Sequence, residues 1–166
     1  CDIDILGEPT NLAEIELILA TTTTLGRLGF KNFEIRINER RILKAMAAWS
    51  GFAEEDYDSI FITLDKMDKI GLDGVAKELA EEGYAQDKID QYLGLFEMLA
   101  DKKDVAEGVS CLSETLGEAL DPAVAESMKE IAAAVNAAKE ADFALVFDPT
   151  LVRGMSYYTG TIFEIS

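Results

Sequence analysis

One stretch near the end of the sequence combines residue types that can bind a small polar ligand. Residues 151–164 have the sequence LVRGMSYYTGTIFE, with one arginine, Arg153, and two adjacent tyrosines, Tyr157 and Tyr158. The planar guanidinium of Arg153 suits a phosphate or a carboxylate, and each charge-assisted hydrogen bond it makes contributes about 1.5–3 kcal/mol. The tyrosines add flat apolar surfaces with hydroxyl tips. Together these residues predict a site for a small, planar, polar ligand with an anionic group nearby.

Two apolar runs flank this stretch and predict the strands that position it. The runs are residues 143–147 and 162–165, and we expect both to be buried strands, the first of them buried on both faces. A loop carried by a rigid sheet often holds binding residues, and Gly154 and Gly160 allow a close approach or a positive φ there. The same residues also fit a β-turn followed by a strand with ordinary core aromatics. Spacing alone leaves both interpretations open.

The stretch from Leu151 to Glu164 resembles the histidine-specific signature of the histidyl-tRNA synthetases, LVRG-hydrophobic-D-YYTGT-hydrophobic-FE. This resemblance implies that Arg153 binds ATP and acts as an electrophilic clamp on the α-phosphate during adenylate formation. It also implies that Tyr157 and Tyr158 help to form the histidine pocket. Met155 and Ser156 stand where leucine and aspartate are commoner in the signature, so no residue here takes the place of that aspartate.

The first residues of the chain hold a second candidate site. Residues 2–6 alternate polar and apolar side chains, which predicts a strand on which Asp2 and Asp4 point the same way. Two carboxylates about 7 Å apart on one face of a strand could bind a cation or an amine, or could face solvent. Residues 1–7 also resemble the tail of motif 2 of the class II synthetases. That resemblance implies that Asp4 contacts the substrate histidine.

Helix and strand patterns alternate after this segment. Asn11 with Glu14 predicts a capping box for an amphipathic helix that stops at Gly29. Residues 33–37 alternate as a strand, on which Arg36 is interpreted as a structural or sheet-surface residue. Asn38 is expected to cap the helix that follows.

From Ala53 the pattern becomes helical and strongly acidic. Residues 53–142 carry 23 of the 32 Asp and Glu residues but only 8 of the 15 Lys and Arg residues, and the whole chain has a net charge of −17. Apolar stripes at helical spacing, with breaks at Gly71 and Gly83, predict several helices, the last beginning at Asp121 and Pro122. Such a charge repels a polyanion at long range. We expect an inserted helical domain of about 90 residues, which is within the usual size range of a domain.

The resemblance covers nearly the whole chain and implies an α+β fold. It implies part of the class II synthetase antiparallel sheet with flanking helices, plus a mainly α-helical insertion domain. Residues 1–52 would belong to the catalytic core, 53–142 to the insertion, and 143–166 to the core again, with the histidine-binding signature. In this family the insertion leans against the acceptor arm of tRNA(His), although phosphate contacts need basic residues and only Lys102 and Lys103 form a doublet here.

The same resemblance implies a histidine-tRNA ligase that uses L-histidine, ATP and tRNA(His) and works as a homodimer of the full-length enzyme. Mg²⁺ is expected with ATP, but the sequence identifies no ligands for it. The chain contains no histidine, which excludes histidine-ligated metal chemistry and histidine-based catalysis within it. The alternative is a catalytically silent, synthetase-like subunit that regulates histidine biosynthesis or senses histidine.

The limits of the chain predict a fragment. It begins at Cys1 and stops at Ser166 within a strand pattern, and neither motif 1, motif 3 nor an anticodon-binding domain is recognised in it. We therefore expect the fragment alone to be inactive. Two cysteines are too few for a disulfide framework, and no apolar run approaches the roughly 20 residues that span a membrane, which together indicate a reduced, cytoplasmic setting.

Overall fold

Seven α-helices and three strands make up the part of the chain that the computed structural model describes, residues 3–153 and 160–166. In chain order they are α1 (Leu12–Arg27), β1 (Phe33–Glu39), α2 (Arg40–Trp49), α3 (Tyr57–Leu64), α4 (Met67–Glu81), α5 (Gln86–Leu99), α6 (Val105–Leu116), α7 (Pro122–Ala138), β2 (Phe143–Phe147) and β3 (Thr161–Ile165). The predicted α+β class is confirmed. No helix in these ranges has both the length and the apolar content needed to cross a bilayer.

The sheet has the strand order β2-β1-β3, with β1 at the centre. β1 pairs with β2 in parallel and with β3 in antiparallel, so the sheet is mixed where antiparallel pairing was expected. The parallel pair arises because the chain leaves β1, passes through α2 to α7, and returns to β2 in the same direction. Parallel neighbours need a long crossover of this kind.

One apolar cluster of buried side chains joins the sheet to the helices. Ile35 and Ile37 of β1 are fully buried, and so are Met46 of α2, Phe61 of α3 and Met128 of α7. Fully burying an apolar side chain of this size contributes about 1.5–3 kcal/mol. The division of the chain at residues 52 and 142 stays a prediction.

The helix breaks expected from glycine and proline are confirmed. Gly71 interrupts α4 with φ 69° and ψ 179°, a conformation that side chains disfavour. Pro122 opens α7, and the Asp121 side chain accepts a hydrogen bond from the Ala123 N–H at 2.9 Å. These two boundaries of the helical segment therefore follow from local sequence, whereas the break between α3 and α4 at residues 65–66 was not expected.

Three predictions near the start of the chain are wrong. Residues 3–6 form no strand, because a strand needs a paired neighbour and no described strand pairs with them. Asn11 makes no capping hydrogen bond; its side chain donates to Glu130 Oε2 at 2.9 Å and accepts from Ser127 Oγ at 2.6 Å, which fastens α1 to α7. Glu39 caps α2 by accepting from the Arg41 N–H at 3.1 Å, and Asn38 belongs to β1 instead.

The prediction that β2 is buried on both faces is also wrong. Phe143 and Phe147 are buried, whereas Ala144 between them is exposed. β2 is an edge strand of the described sheet, and its more deeply buried face, which carries Phe143 and Phe147, packs against α6. Gly108 of α6 lies under Phe147 on that packed face.

Candidate functional site

Opposite charges face each other across β1 and β3. Arg36 and Glu164 are register partners in the antiparallel pair, and Arg36 Nη2 donates a hydrogen bond to Glu164 Oε1. Arg36 Nη1 donates to Asp148 Oδ2 at 2.9 Å and lies 3.6 Å from Asp68 Oδ2. The interpretation of Arg36 as a structural residue on the sheet surface agrees with these contacts, since its guanidinium joins three separate segments of the chain.

Asp148 makes the turn that leads from β2 to the candidate site. Its backbone N–H donates to the Ile37 carbonyl at 3.0 Å, and its Oδ1 accepts from the backbone N–H and the hydroxyl of Thr150 at 2.9 and 2.6 Å. The Leu151 N–H closes the turn onto the Asp148 carbonyl at 3.1 Å. The same carboxylate that shapes this turn also neutralises Arg36.

Asn38 anchors the segment that leaves this turn. It is fully buried in β1, and its Nδ2 donates to the Leu151 carbonyl at 3.1 Å. Leu151 and Val152 are each 1% exposed, so their side chains are held in the core directly before Arg153. A buried carbonyl without a partner costs about 1–3 kcal/mol, which makes this side-chain contact a structural requirement of the segment.

Two of the three guanidinium nitrogens of Arg153 donate hydrogen bonds to described residues. Its Nε donates to Glu164 Oε2 at 2.8 Å, and its Nη1 donates to the Val152 carbonyl at 3.1 Å and to Asp65 Oδ1. Among the described residues, Nη2 has no hydrogen-bond partner, and 43% of the side chain is exposed. The guanidinium is therefore fixed in direction and keeps two N–H donors for a ligand.

We call the six charged side chains around these contacts the arginine-carboxylate cluster. Its members are Arg36, Asp65, Asp68, Asp148, Arg153 and Glu164. Partial burial on its own raises the pKa of Glu164, but hydrogen bonds and charge attraction from Arg36 and Arg153 outweigh it and lower that pKa below its ordinary value. Glu164 thus stays ionised and holds both guanidinium groups.

Asp4 is the one other predicted site residue among the described residues, and it is not brought to this cluster. Asp4 is exposed, and no hydrogen bond or ion pair links it to Arg153 within residues 3–153 and 160–166. Tyr157 and Tyr158, like Met155 and Ser156 of the signature, lie outside the described residues. Of the two predicted site residues that the structure describes, Arg153 lies in the cluster and Asp4 does not, and the catalytic role of Arg153 stays a prediction.

Sequence reasoning missed the contribution of Asp65 and Asp68. Both lie at the junction of α3 and α4, far along the chain from Arg36 and Arg153. Nothing in their local pattern distinguishes them from the many solvated acids of this segment. Arg36 and Glu164, by contrast, carry opposite charges and lie in two predicted strands. Opposite charges favour cross-strand neighbours, so this pair could have been predicted from the sequence.

The described residues do not fit a Mg²⁺ ion. No group of three or more Cys, Asp and Glu side chains in the described ranges has the arrangement of a metal site. The carboxylates of the cluster face guanidinium groups, and the crevice among Arg36, Asp65, Asp68 and Arg153 leaves no space for a water molecule. No chemical step at this site is assigned to a metal ion.

An apolar cleft of about 370 Å³ opens beside the cluster, between β1 and β2 on one side and α4 and α5 on the other. Met67, Leu72, Phe96 and Val146 supply apolar walls, and Arg36 lies at its border with the cluster. Its volume is at the lower end of the range for small-molecule pockets. The cleft and the exposed Arg153 therefore offer contiguous surfaces of different character.

Comparisons with known proteins agree along nearly the whole chain. The family model described as histidyl-tRNA synthetase matches residues 3–165. The histidine-tRNA ligase of Leifsonia xyli subsp. xyli is 43% identical over 167 residues, which cover 100% of this chain and 38% of that protein. The probable histidine-tRNA ligase of Tropheryma whipplei strain Twist is 39% identical over 172 residues, which cover 99% of this chain and 40% of that protein. The chain thus spans about two fifths of the length of these relatives.

Two solved structures share the fold. The histidyl-tRNA synthetase of Nostoc sp. PCC 7120 matches with a TM-score of 0.80 and 23% identity, covering 96% of this chain and 37% of that one. A protein described as an ATP phosphoribosyltransferase regulatory subunit/histidyl-tRNA synthetase, from Bacillus halodurans C, matches with a TM-score of 0.74 and 21% identity over 96% of this chain and 40% of that one. At these identities the likeness concerns the fold alone.

Proposed function

The chain belongs to the histidyl-tRNA synthetase family, and we propose that it forms part of a histidine-tRNA ligase. The complete enzyme would join L-histidine to ATP as histidyl-adenylate and then transfer the histidyl group to tRNA(His). The observation that carries this proposal is the setting of Arg153. Its guanidinium lies in the family signature, is held by Glu164 and Asp65, and keeps Nη2 free of partners among the described residues.

Arg153 is proposed to act on the α-phosphate of ATP. When a carboxylate oxygen of histidine attacks the α-phosphorus, pyrophosphate leaves and negative charge develops on the phosphate oxygens. A guanidinium that is already in place stabilises that charge without reorganising, and such preorganised donors are commonly worth a factor of about 10²–10³ in rate each. The fixed Nε and Nη1 contacts of Arg153 supply this preorganisation.

The histidine pocket is proposed to include Asp4, Tyr157 and Tyr158. Support for these residues comes from their positions in the family motifs and from the chemistry of their side chains. An imidazole carries one N–H donor and one acceptor nitrogen, and a carboxylate and a phenol hydroxyl can pair with both. A site built on such hydrogen bonds rejects amino acids that cannot make them, because its buried polar groups would then be left unpaired.

The helical segment of residues 53–142 is proposed to form an insertion domain that contacts the acceptor arm of tRNA(His). Within its basic doublet, Lys102 Nζ lies 3.8 Å from both Asp101 and Glu107, whereas Lys103 is exposed and has no ion-pair partner among the described residues. Lys103 is therefore the better candidate for a phosphate contact. A homodimer of the complete enzyme in the cytoplasm, with ATP entering as its magnesium complex, also belongs to this proposal.

The alternative is a synthetase-like regulatory or histidine-sensing subunit without ligase activity. The observation that favours it is the fold likeness to the Bacillus halodurans protein, whose description includes a regulatory subunit. The retained Arg153 favours the ligase, because a protein that only senses histidine has no developing phosphate charge to stabilise.

The experiment that tests the proposal is ATP-pyrophosphate exchange with the complete gene product that contains this chain. We expect exchange that depends on L-histidine and is absent with other amino acids. Histidine binding measured by calorimetry without any exchange would contradict the ligase and support the sensing subunit. Absence of both exchange and histidine binding would contradict both functions.

A further inference from the structure

We propose that Asp65, in the helical segment, is a positioning residue for Arg153. Asp65 accepts a hydrogen bond from Arg153 Nη1, although 88 residues separate the two in sequence. The inference rests on the proposed role of Arg153 and adds to it a residue from outside the family signature. Its consequence is that the segment of residues 53–142 sets the direction of the arginine expected to meet the phosphate.

The contacts of Arg153 divide its guanidinium into a held side and an open side. Glu164 takes Nε at 2.8 Å, while the Val152 carbonyl at 3.1 Å and Asp65 take Nη1. A planar group fixed at two of its nitrogens has one remaining direction for its third. Without Asp65, Nη1 would keep only the carbonyl of the neighbouring residue, and the plane could turn about the Nε contact.

Asp65 is itself held in place by the end of α3. Leu64 before it is fully buried, and the Asp65 N–H donates to the Phe61 carbonyl at 2.9 Å. The carboxylate therefore projects from a turn whose backbone is anchored in the core. This anchoring gives the contact with Arg153 a defined direction.

Three side-chain hydrogen bonds tie the α3–α4 junction to the far end of α4. Ser59 and Thr63 of α3 donate to the two oxygens of Glu82 at 2.8 and 3.1 Å, and Lys66 donates to Glu78 at 2.8 Å. These hydrogen bonds connect α3 and Lys66 to the last turn of α4, with Asp65 at the junction between the two helices. A displacement of this pair would carry Asp65 with it and would turn Arg153.

The contact between Asp65 and Arg153 orients the guanidinium and contributes little to the stability of the fold. Both side chains are close to half exposed, with 43% exposure for Arg153 and 45% for Asp65, and ion pairs in such surroundings add little to folding. Asp65 takes Nη1 and leaves Nη2 without a partner among the described residues, so Nη2 is the nitrogen that stays available to a ligand.

The test compares Asp65→Asn with Asp58→Asn in the complete protein. Asp58 is an exposed carboxylate in the first turn of α3, the helix that ends directly before Asp65, and it has no hydrogen bond or ion pair to any described residue, so its substitution makes the same chemical change without touching Arg153. We expect Asp65→Asn to lower kcat for histidine-dependent exchange about tenfold, since small misplacements of positioning groups have effects of this order or larger. KM for histidine and the melting temperature should stay close to the parent values, Asp65→Glu should recover part of the rate, and Asp58→Asn should behave as the parent.

A double-mutant cycle separates positioning from a general structural effect. In an Arg153→Ala background, Asp65→Asn should lower exchange no further, because the group that Asp65 orients is gone. An equal loss in both backgrounds, or a faster exchange in the Asp65→Asn protein, would overturn the inference.

Failure of the proposed function would be recognised separately. Absence of exchange in the parent protein contradicts the ligase before any variant is compared. The positioning of Arg153 is then tested by calorimetric binding of ATP to the parent, the two single variants and the double variant, where coupling between Asp65 and Arg153 supports the inference and strictly additive effects overturn it.

Discussion

The helical segment and the arginine-carboxylate cluster are held together by different forces. Helices α3 to α7 bury apolar side chains at helical spacing, among them Phe61, Leu79, Phe96 and Met128. The cluster joins six charged side chains from five separate places in the sequence through hydrogen bonds and ion pairs. The stability of the helical segment depends on the total apolar area removed from water. The contacts of the cluster depend on the relative orientation of its hydrogen-bond donors and acceptors.

This difference determines how each region responds to substitution. Removing a buried side chain from the helical segment leaves a cavity and lowers the free energy of unfolding. Removing a charge from the more exposed side of the cluster, such as Asp65 at 45% exposure, changes that free energy little, because water replaces the lost partner. Substitutions of buried residues in the helical segment should therefore mainly lower stability, and substitutions in the cluster should mainly lower activity.

Phe61→Ala should give the largest loss of stability. Phe61 is 1% exposed, and the centroid of its ring lies 6.0 Å from that of Tyr57. Truncation of its side chain should therefore lower the free energy of unfolding by about 3–5 kcal/mol. Urea unfolding of the complete protein measures this value. The neighbouring Ile62 is 61% exposed, and Ile62→Ala should change the same quantity by less than about 0.5 kcal/mol. Similar losses for both variants would break the contrast between buried and exposed positions.

Gly108→Ala tests the contact between the helices and the sheet. A Cβ at Gly108 would lie 2.6 Å from Phe147 Cδ1 and 3.0 Å from the Lys102 carbonyl oxygen, so overpacking should lower the free energy of unfolding by about 1–3 kcal/mol. Gly94 lies within α5 with no atom within 4 Å of such a Cβ, and Gly94→Ala should raise the free energy by about 0.5–1 kcal/mol. Thermal or urea unfolding should show a lower free energy of unfolding for Gly108→Ala and a higher one for Gly94→Ala. A stabilising effect of Gly108→Ala would contradict the close packing of α6 on β2.

The smallest expected effect on stability belongs to the cluster and depends on pH. The pKa of Glu164 lies below its ordinary value of 4.5 in the folded protein, because Arg36 and Arg153 outweigh the effect of its partial burial. Its contribution to stability is therefore complete above the ordinary value and is lost as the pH falls through the lowered folded value. The difference in unfolding free energy between the parent and Glu164→Gln should be largest above about pH 4.5 and should narrow as the pH falls below that value.

Glu55→Gln provides the control for this measurement. Glu55 is exposed and has no hydrogen-bond or ion-pair partner among the described residues. A difference from the parent that narrows in the same way for both variants would show that the effect does not come from the contacts of Glu164 with the two arginines.

The sequence was sufficient for the features that depend on short-range pattern. The family resemblance and the α+β class are confirmed, as are the helix break at Gly71 and the start of α7 at Pro122. Glycine and proline act on their own backbone, and helical spacing is visible in a short window. These features need no knowledge of distant partners.

The errors and omissions concern contacts between distant segments. Asn11 has the residue type of a helix cap, but the approach of α7 offers it Ser127 and Glu130. Residues 3–6 have the alternation of a strand, but pairing decides whether alternation becomes a strand. Asp65 looks like any solvated acid until α3 brings it to Arg153. In each case a tertiary contact decided an outcome that the local pattern left open.

The most direct test of the account compares two properties of Arg153→Ala in the complete protein. The measurements are the rate of histidine-dependent ATP-pyrophosphate exchange and the affinity for L-histidine by calorimetry. We expect the rate to fall by a factor of about 10²–10³, because a preorganised donor to the developing phosphate charge is lost, while the affinity for histidine stays close to that of the parent. Equal losses in rate and in histidine affinity would contradict the role assigned to Arg153.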